Sequence, residues 1–377
     1  MDEVRRRIAG CMTGTSLDGL DVALVVAEGR GLAARFRVEG FRSYSLSSLQ
    51  GQLRNIAGGG AMTATQIADL ARRFGELHAR AVGEVAGGVG IDLVVLHGQT
   101  VHHKPPSTWQ LVNPWPVALE AKCPVLYDLR SADVAAGGQG APITPLADWA
   151  LFRDASERRV VLNLGGFCNF TDLPAGGAPE SVQGGDICAC NHLLDAAARR
   201  ALGALYDEGG AAGLRGTVRD DASSELRMLL SSQARAARSL GTGDESVGWV
   251  NKWAGRLPGE DLLASLAEAV GRVIAERIGD ADRVLCAGGG AKNRSLLAAI
   301  ERAIGKPVET TEALGIGVQQ REAVCMAVLG ALCADGVAVT LPQVTRSGGA
   351  AAPMAGSWIN LPASTFPIGI HRTEAAS

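Results

Sequence analysis

The stretch Gly10-Cys11-Met12-Thr13-Gly14-Thr15-Ser16-Leu17-Asp18-Gly19 overlaps the end of one strand-like segment, residues 7–12, and leads into a second, residues 21–26. Glycine has no Cβ, so a turn of this kind lets several backbone N–H groups approach a phosphate closely. The stretch matches neither a Walker A loop, which ends in Gly-Lys-Ser/Thr, nor the dinucleotide pattern Gly-x-Gly-x-x-Gly. A phosphate-binding turn and a tight hairpin without a ligand both fit its spacing.

Side chains of the same turn offer further ligands. Hydroxyl groups add hydrogen-bond donors for a phosphate, and the carboxylate of Asp18 could hold a magnesium ion through water. The predicted nucleotide contacts in this turn are Gly14, Thr15, Ser16, Asp18 and Gly19.

Two later glycine turns follow strand-like segments in the same way, one after residues 159–164 and the other after residues 283–286. The three glycines of the later turn, residues 288–290, can bind a nucleotide at the start of a helix, or they can allow that helix to pack tightly on the strand. Both interpretations remain open at this point. The predicted nucleotide contacts in these turns are Gly165, Gly166, Asn169, Gly288, Gly289, Gly290 and Asn293.

Asp186 follows two glycines and precedes a predicted helix that begins near Asn191. A carboxylate at this position can act as a general base, or it can cap the helix. Structural zinc sites usually combine Cys-x-x-Cys pairs from two separated segments, so zinc is the minor hypothesis here. Four alternating side chains would share one face of an extended strand in that case: Asp186, Cys188, Cys190 and His192.

Three histidines, His97, His102 and His103, cluster after the strand-like segment 91–96. No carboxylate nearby completes an obvious metal ligand set. A loop that lines a polar ligand pocket is therefore the favoured interpretation, and an exposed loop is the alternative. The predicted substrate contacts in this loop are His97, Gln99 and Thr100.

Arg130 and Asp133 follow another strand-like segment, residues 125–128. Their opposite charges and short spacing favour a structural ion pair. A role for Arg130 in binding a ligand is the alternative.

Length and composition indicate an α/β protein of two domains. The chain has 377 residues, 47% of them hydrophobic and only 4% aromatic, with 49 glycines. This length exceeds what one core usually organises, and the glycine content suits strand-to-helix turns better than a β-sandwich. The net charge of −3 gives no reason to expect nucleic acid as a partner. The sequence lacks a membrane-length apolar run, and its eight cysteines are scattered, so we expect a cytoplasmic protein with no membrane partner.

Apolar periodicity predicts several helices. One follows Thr65, which is its predicted N-cap, and another begins near Asn191. Two more are predicted over about 260–278 and about 320–332.

The loop 135–142 is rich in glycine and is the predicted domain boundary. We expect an N-terminal α/β domain of residues 1–135 plus about 343–377, because the tail should pack back on the first domain. The C-terminal α/β domain is expected over residues 136–342.

Several segments together resemble the anhydro-N-acetylmuramic acid kinase family. The glycine turn 10–19 and the block Ala135-Ala136-Gly137-Gly138-Gln139-Gly140-Ala141-Pro142 are its most specific elements. Agreement at both by chance is improbable. Further matching segments are His97-Gly98-Gln99-Thr100, Asp128-Leu129-Arg130, Leu162-Asn163-Leu164-Gly165-Gly166 and Gly288-Gly289-Gly290-Ala291-Lys292-Asn293.

The resemblance implies an actin/hexokinase/Hsp70-like (ribonuclease H-like) kinase fold, with two α/β domains around a central cleft that binds ATP and magnesium. It implies a cytoplasmic enzyme of cell-wall recycling, often a homodimer. In this family the enzyme uses ATP and water to open 1,6-anhydro-N-acetylmuramic acid and to phosphorylate O6. By the same resemblance Asp186 is the catalytic base, whereas Arg130 and Glu322 contact the sugar.

The sequence departs from the family pattern near these residues. The family follows its catalytic Asp with Thr-Gly-Pro-Gly-Asn, which is replaced here by Ile187-Cys188-Ala189-Cys190-Asn191. A Ser-Thr-Gly-Arg-Glu segment is replaced by Gly241-Thr242-Gly243-Asp244-Glu245, and a usual Pro and Asp by Gly317 and Gln319. Three hypotheses follow: a kinase for the anhydro-muramic sugar, a kinase for another anhydro or ordinary sugar, and an inactive relative that binds nucleotide or sugar.

Overall fold

The chain is described from a computed structural model. The structure describes residues 4–14, 17–236, 238–241, 243–346 and 355–360. Thr15 and Ser16 of the predicted phosphate turn lie outside the described residues, as does most of the predicted tail, 347–354 and 361–377.

The strands of the first half are β1 (Arg5–Met12), β2 (Leu20–Glu28), β3 (Arg35–Tyr44), β4 (Leu93–Leu96), β5 (Gln99–Lys104), β6 (Ser107–Leu111), β7 (Val125–Tyr127) and β13 (Ser357–Ile359). Six of them form the first sheet, in the order β13-β7-β4-β1-β2-β3. β1 runs antiparallel to β2 and parallel to β4, and the short β13 pairs with β7. A separate hairpin is formed by β5 and β6.

Five helices accompany these strands: α1 (Gln50–Ala57), α2 (Ala64–Ala86), α3 (Trp115–Ala121), α4 (Ser131–Ala135) and α5 (Pro145–Phe152). The N-cap of α2 is Thr63, so the prediction of Thr65 is wrong by two residues. Thr63 accepts a hydrogen bond from the backbone N–H of Gln66, and the Gln66 side chain accepts one from the Thr63 N–H. This reciprocal capping box satisfies two backbone donors, which Thr65 could not do with Ile67 and Ala68.

The strands of the second half are β8 (Arg159–Leu164), β9 (Phe167–Leu173), β10 (Gln183–Ala189), β11 (Arg283–Ala287) and β12 (Glu309–Thr310). They form the second sheet, in the order β10-β9-β8-β11-β12. β8 and β11 are parallel, whereas β9 and β10 are antiparallel to their neighbours. The prediction of an α/β chain built from two sheet-containing halves is confirmed.

The remaining helices confirm the predictions near residue 191, over about 260–278 and over about 320–332. Their bounds are α6 (Asn191–Leu202), α7 (Ala211–Arg215), α8 (Asp220–Ala236), α9 (Val247–Trp253), α10 (Gly259–Ile278), α11 (Arg294–Ile304), α12 (Arg321–Ala334) and α13 (Pro342–Thr345). Within the described part of the chain, no helix is both long and apolar enough to cross a bilayer.

Helix α12 packs directly on β1, β2 and β4 of the first sheet, although the predicted boundary assigns it to the second domain. One point of close approach is Gly10, which lies inside β1 and not in the glycine turn. A Cβ on Gly10 would overlap the carbonyl oxygen of Ala323 and lie 2.5 Å from the Ala327 nitrogen. The absence of a side chain at Gly10 therefore serves helix packing.

Gly10→Ala is expected to lower the free energy of unfolding by about 1–3 kcal/mol, because the added methyl forces α12 away from β1. The matched control is Gly83→Ala, since Gly83 lies in α2 and a methyl group added there would meet no atom within 4 Å. That change should stabilise the protein by roughly 0.5–1 kcal/mol. Urea denaturation of both variants tests this, and equal stabilities would contradict it.

Candidate active site

The described part of the first glycine turn closes on itself between β1 and β2. The Leu17 N–H donates a hydrogen bond to the Gly14 carbonyl at 3.1 Å, and Leu17 has a positive φ of 57°. Gly19 lies against β3, where a Cβ would approach the Tyr44 carbonyl oxygen to 2.9 Å. Asp18 is exposed at the end of the turn, so its carboxylate is available to a ligand.

Three polar side chains form a row across the second sheet. Asn163 on β8 lies directly opposite Asn169 on β9, and Asn169 lies directly opposite Asp186 on β10. Directly opposite residues in antiparallel strands project from the same face of a sheet. The register therefore brings the predicted residues Asn169 and Asp186 together and adds Asn163, to which the sequence assigned no role.

Asp186 is a partly buried carboxylate with a single backbone donor. Its Oδ2 accepts a hydrogen bond from the Leu240 N–H at 2.7 Å. Burial raises the pKa of Asp186 to about 6, while the Leu240 N–H and the charge of Arg130 oppose this shift. A carboxylate with a pKa close to neutral is well suited to general base catalysis. Asp186 does not cap α6, because the N-cap position is occupied by Cys190.

Arg130 is held by a hydrogen-bond network that begins at His97. Its Nε and Nη2 donate to His97 Nε2 at 3.1 and 3.0 Å, and its Nη1 donates to the Gly140 carbonyl at 2.7 Å. His97 Nδ1–H donates to the Gly98 carbonyl at 2.8 Å. Burial, reinforced by the Arg130 charge, lowers the pKa of His97 to about 3, so the ring stays neutral and accepts from the guanidinium.

The predicted ion pair between Arg130 and Asp133 is wrong. The buried Asp133 carboxylate instead accepts hydrogen bonds from the Gly140 N–H and from Thr345 Oγ1, both at 2.7 Å. Arg130 and Asp133 therefore hold the same residue, Gly140, through its carbonyl and its N–H. The Arg130 charge therefore acts on Glu322 and Asp186. Burial lowers the pKa of Arg130 to about 10, and the charges of Glu322 and Asp186 oppose this shift.

Glu322 lies in the first turn of α12 and faces the second sheet. Asn163 Nδ2 donates a long hydrogen bond of 3.4 Å to Glu322 Oε1. Burial raises the pKa of Glu322, although the charges of Arg321 and Arg130 oppose this. Two acids, Glu322 and Asp186, thus lie within the electrostatic range of one guanidinium, that of Arg130.

The polar residues that follow β4 differ in their burial and in their hydrogen-bond partners. Gln99 is buried, and its Nε2 donates to the Thr100 carbonyl at 3.2 Å, whereas its Oε1 has no partner among the described residues. His103 Nδ1 lies 2.9 Å from Thr108 Oγ1, and His102 is exposed. In the described part of the chain no three His, Cys, Asp or Glu side chains are grouped for a metal. The zinc site considered at Asp186, Cys188, Cys190 and His192 is therefore not supported.

Packing accounts for two glycines of the turn after β11. A Cβ on Gly288, whose φ is 80°, would lie 2.8 Å from Asn163 Oδ1, and one on Gly290 would lie 2.8 Å from the Leu164 Cβ. Gly289, by contrast, is exposed. Asn293 caps α11 by accepting a hydrogen bond from the Leu296 N–H at 3.0 Å. The turn therefore lies beside the Gly165–Gly166 turn, with Gly289 free to contact a ligand.

The segment that departs from the family pattern is tied to the turn at Gly165 and Gly166. The N–H groups of Cys190 and His192 donate to the Gly166 carbonyl at 2.9 and 3.2 Å, and the Asn191 N–H donates to the Gly165 carbonyl at 3.0 Å. Cys190 has φ −133° and Cys188 is not among the residues with positive φ, so neither cysteine needs the left-handed backbone that favours glycine. The altered residues thus keep α6 against the turn.

Two carboxylates, Asp21 from the first half and Asp195 from the second, lie within the electrostatic range of Asp18 in the first glycine turn. Burial raises the pKa of Asp21 to about 6 and also raises the pKa of Asp195, and in both cases the nearby charge of Asp18 adds to the effect. Hard oxygen donors of this kind suit magnesium. Asp195 was not identified from the sequence. The available signal was its position one turn after Asn191 on the same face of the predicted helix.

The sequence profile described as "Anhydro-N-acetylmuramic acid kinase" matches residues 6–358. The anhydro-N-acetylmuramic acid kinase of Salinibacter ruber is 34% identical over 370 residues, covering 90% of this chain and 93% of its own. That of Gloeobacter violaceus is 34% identical over 364 residues, covering 90% and 95%. Among solved structures, component A of (R)-2-hydroxyglutaryl-CoA dehydratase from Acidaminococcus fermentans superposes with a TM-score of 0.45 at 14% identity, over 85% of this chain and 96% of its own.

The match to the family extends across both sheets and includes the row at Asp186, the Arg130 network and the start of α12. It confirms the resemblance predicted from the sequence, together with the two-domain α/β sugar kinase fold. The chain therefore belongs to the anhydro-N-acetylmuramic acid kinase family and is an enzyme that phosphorylates a hydroxyl group of a sugar.

Proposed function

We propose that the enzyme uses ATP and water to open 1,6-anhydro-N-acetylmuramic acid and to phosphorylate O6, giving N-acetylmuramic acid 6-phosphate. The observation that carries this proposal is the position of Asp186, a carboxylate with a pKa of about 6 in one row with Asn163 and Asn169. Attack of water on the anhydro bridge requires a general base such as Asp186. Ordinary phosphorylation of a free hydroxyl uses a general base as well.

In the proposed reaction Asp186 accepts a proton from the water that attacks C1. The C1–O6 bond breaks, its electron pair goes to O6, and O6 forms a bond to the γ-phosphorus of ATP. The bond between that phosphorus and the β,γ-bridging oxygen breaks, ADP leaves, and Asp186 returns its proton to solvent. Glycosidases need a second carboxyl group as an acid for the leaving oxygen. Capture of O6 by the phosphoryl group makes that acid unnecessary here.

Arg130 and Glu322 are proposed to bind the sugar. A guanidinium has five N–H donors, and three of those of Arg130 are engaged by His97 and Gly140 among the described residues. The other two are free for the lactyl carboxylate, which a planar guanidinium recognises well. Glu322 would accept hydrogen bonds from sugar hydroxyls or the amide, and His97 keeps the guanidinium in place.

The nucleotide is proposed to bind between the two glycine-rich sides of the cleft. Gly14, Asp18 and Gly19 would contact the phosphates from the first half, with Gly165, Gly166, Asn169 and Gly289 opposite them. Asp18 and Asp195 have the oxygen donors that would hold a magnesium ion through water. When bound, such an ion offsets negative charge on the transferring phosphoryl group.

We also propose a cytoplasmic location and a homodimer. ATP is a cytoplasmic substrate, and all eight cysteines are free thiols buried in the fold, which suits a reducing compartment. The homodimer is supported by the family resemblance.

The proposal is tested by incubating the enzyme with magnesium-ATP and each of 1,6-anhydro-N-acetylmuramic acid, levoglucosan and free amino sugars, and following ADP. Turnover should be fastest with the anhydro-muramic sugar. In water enriched with oxygen-18, promptly analysed product should carry one heavy oxygen at C1 and none in the phosphate. Turnover only with another sugar, or ATP binding without turnover with any sugar, would overturn the proposal.

A further inference from the structure

A segment of the second half lies over the carboxylate of Asp186. We refer to its described residues, 238–241 and 243–246, as the cover segment. Its contact with Asp186 is the 2.7 Å hydrogen bond from the Leu240 N–H to Asp186 Oδ2. Leu240 is itself buried, so this donor is shielded from water.

An ion pair closes the cover segment around Leu240. Arg238 Nη1 and Nη2 donate to the two carboxylate oxygens of Asp244 at 2.8 and 2.6 Å. Asp244 Oδ2 also accepts from the Gly241 N–H at 3.0 Å, and Arg238 Nη1 donates to the Ser239 carbonyl at 2.9 Å. The residues on both sides of Leu240 are thus fixed by one bidentate pair, a geometry stronger than a single charged contact.

A second contact fastens the cover segment to the strand of Asp186. Gln233 on α8 accepts a hydrogen bond from the Ala189 N–H at 3.1 Å. The Nε2 of the same side chain donates to the Asp244 carbonyl at 2.6 Å and to Ser246 Oγ at 3.0 Å. Ala189 lies three residues after Asp186 on β10. The Gln233 side chain therefore connects the cover segment to the same strand that carries the Asp186 carboxylate.

We propose that Asp244 and Arg238 are positioning residues that hold the Leu240 N–H against the Asp186 carboxylate, which keeps the base ionised and correctly oriented. The inference rests on the proposed role of Asp186. No bond forms or breaks in this contact. An N–H donor favours the charged form of a carboxylate, so a well-placed Leu240 keeps the base active at lower pH.

The direction in which one substitution changes the pKa of Asp186 distinguishes a positioning role of Asp244 from a purely electrostatic one. The ionisable groups that face Asp186 are Arg130, Arg238, Asp244 and the thiol of Cys168. The negative charge of Asp244 by itself raises the pKa of Asp186. Removing that charge would therefore lower this pKa if charge were its only role. Loss of the Leu240 N–H would raise it.

The test is Asp244→Asn, studied by a carbon-13 NMR titration of Asp-labelled protein in which Asp186→Asn identifies the Asp186 signal. The pKa of Asp186 should rise by about one pH unit, and the acid limb of the kcat profile should move upward by the same amount. KM for ATP should stay unchanged. Gln233→Met, which changes no charge, should move the pKa in the same direction. A fall or no change of the Asp186 pKa in both variants would overturn the inference.

The matched control is Glu225→Gln. Glu225 is paired with Lys252 at 2.5 Å on the surface of the same half, so its neutralisation removes a comparable ion pair away from Asp186. It should leave both readouts unchanged. The titration needs no turnover. If no sugar in the panel is phosphorylated but the Asp186 pKa rises as expected, the proposed function fails and the positioning contact stands. If the anhydro-muramic sugar is phosphorylated but the Asp186 pKa does not rise, the proposed function stands and the positioning contact fails.

Discussion

Replacing Asp186 with asparagine is expected to lower kcat by about 100-fold to 10,000-fold, which is the usual contribution of a general base. Asparagine has nearly the same shape, but it cannot accept a proton from the attacking water. KM for ATP should change little, because in the proposed reaction Asp186 acts on the water that attacks the sugar. Steady-state kinetics with the anhydro-muramic sugar measure both values. A variant that keeps wild-type kcat would remove Asp186 from the mechanism.

The pH dependence of the same pair of proteins gives an independent check. Burial raises the pKa of Asp186 to about 6, so wild-type kcat should fall as the pH drops through this value and the base becomes protonated. The residual activity of Asp186→Asn should lack this limb.

Asp186→Asn should lower the activity but raise the thermal stability above about pH 6. A carboxyl group whose pKa is raised in the folded state stabilises the protein most below its unfolded-state pKa, and this contribution is lost as the pH rises through about 6. At pH 8 the asparagine variant should therefore have a higher Tm than the wild type, which also shows that it is folded. Asp280→Asn, at an exposed carboxylate paired with Lys306, is the control and should leave kcat unchanged.

Replacing Asp148 with alanine is expected to lower the free energy of unfolding by about 3–5 kcal/mol. Asp148 on α5 and Arg321 on α12 form a fully buried ion pair, with Arg321 Nε 2.9 Å from Asp148 Oδ1 and a second contact from Nη2 to Oδ2. Thr171 Oγ1 also donates to Asp148 at 2.7 Å. Removing the carboxylate leaves the buried guanidinium of Arg321 without its hydrogen-bonded counter-charge, which is far more costly than losing an exposed pair.

Urea denaturation at neutral pH measures this loss. The matched control is Asp69→Ala, because Asp69 pairs with Arg72 and Arg73 on the exposed face of α2, and losing such a pair should change the stability little. A double change, Asp148→Leu with Arg321→Met, should recover much of the stability, since apolar residues can replace a buried pair. A cost of Asp148→Ala equal to that of the control would contradict the prediction. Arg321 directly precedes Glu322 in α12. A loss of activity in folded Asp148→Ala would therefore show that the buried ion pair also supports the candidate active site.

Much of this protein could be predicted from the sequence because its signals are local. Apolar periodicity identified the strands on both sides of the first glycine turn and the helices near residues 191, 260 and 320. A glycine turn after a strand and an acid before a helix can each be recognised within about ten residues, which is how Asp186 was selected. The error at Thr65 has a local cause too, since two threonines two residues apart offer competing caps.

Other features depend on contacts between residues that are distant in sequence, and only the tertiary structure decided them. Strand register, which has no signature in any single strand, placed Asn163 and Asn169 in a row with Asp186. The crossing of α12 over β1 gave Gly10 a packing role, although the sequence had grouped it with the phosphate turn.

Charge partners show the same limit. Arg130 and Asp133 are close in sequence, yet each engages Gly140 and not the other, whereas Arg321 finds its partner 173 positions away. A local pattern specifies which elements form and which residue types they carry. The pairing of buried charges and the placement of a donor over Asp186 follow from how those elements pack, because burial makes an unpaired polar group costly and so selects one arrangement.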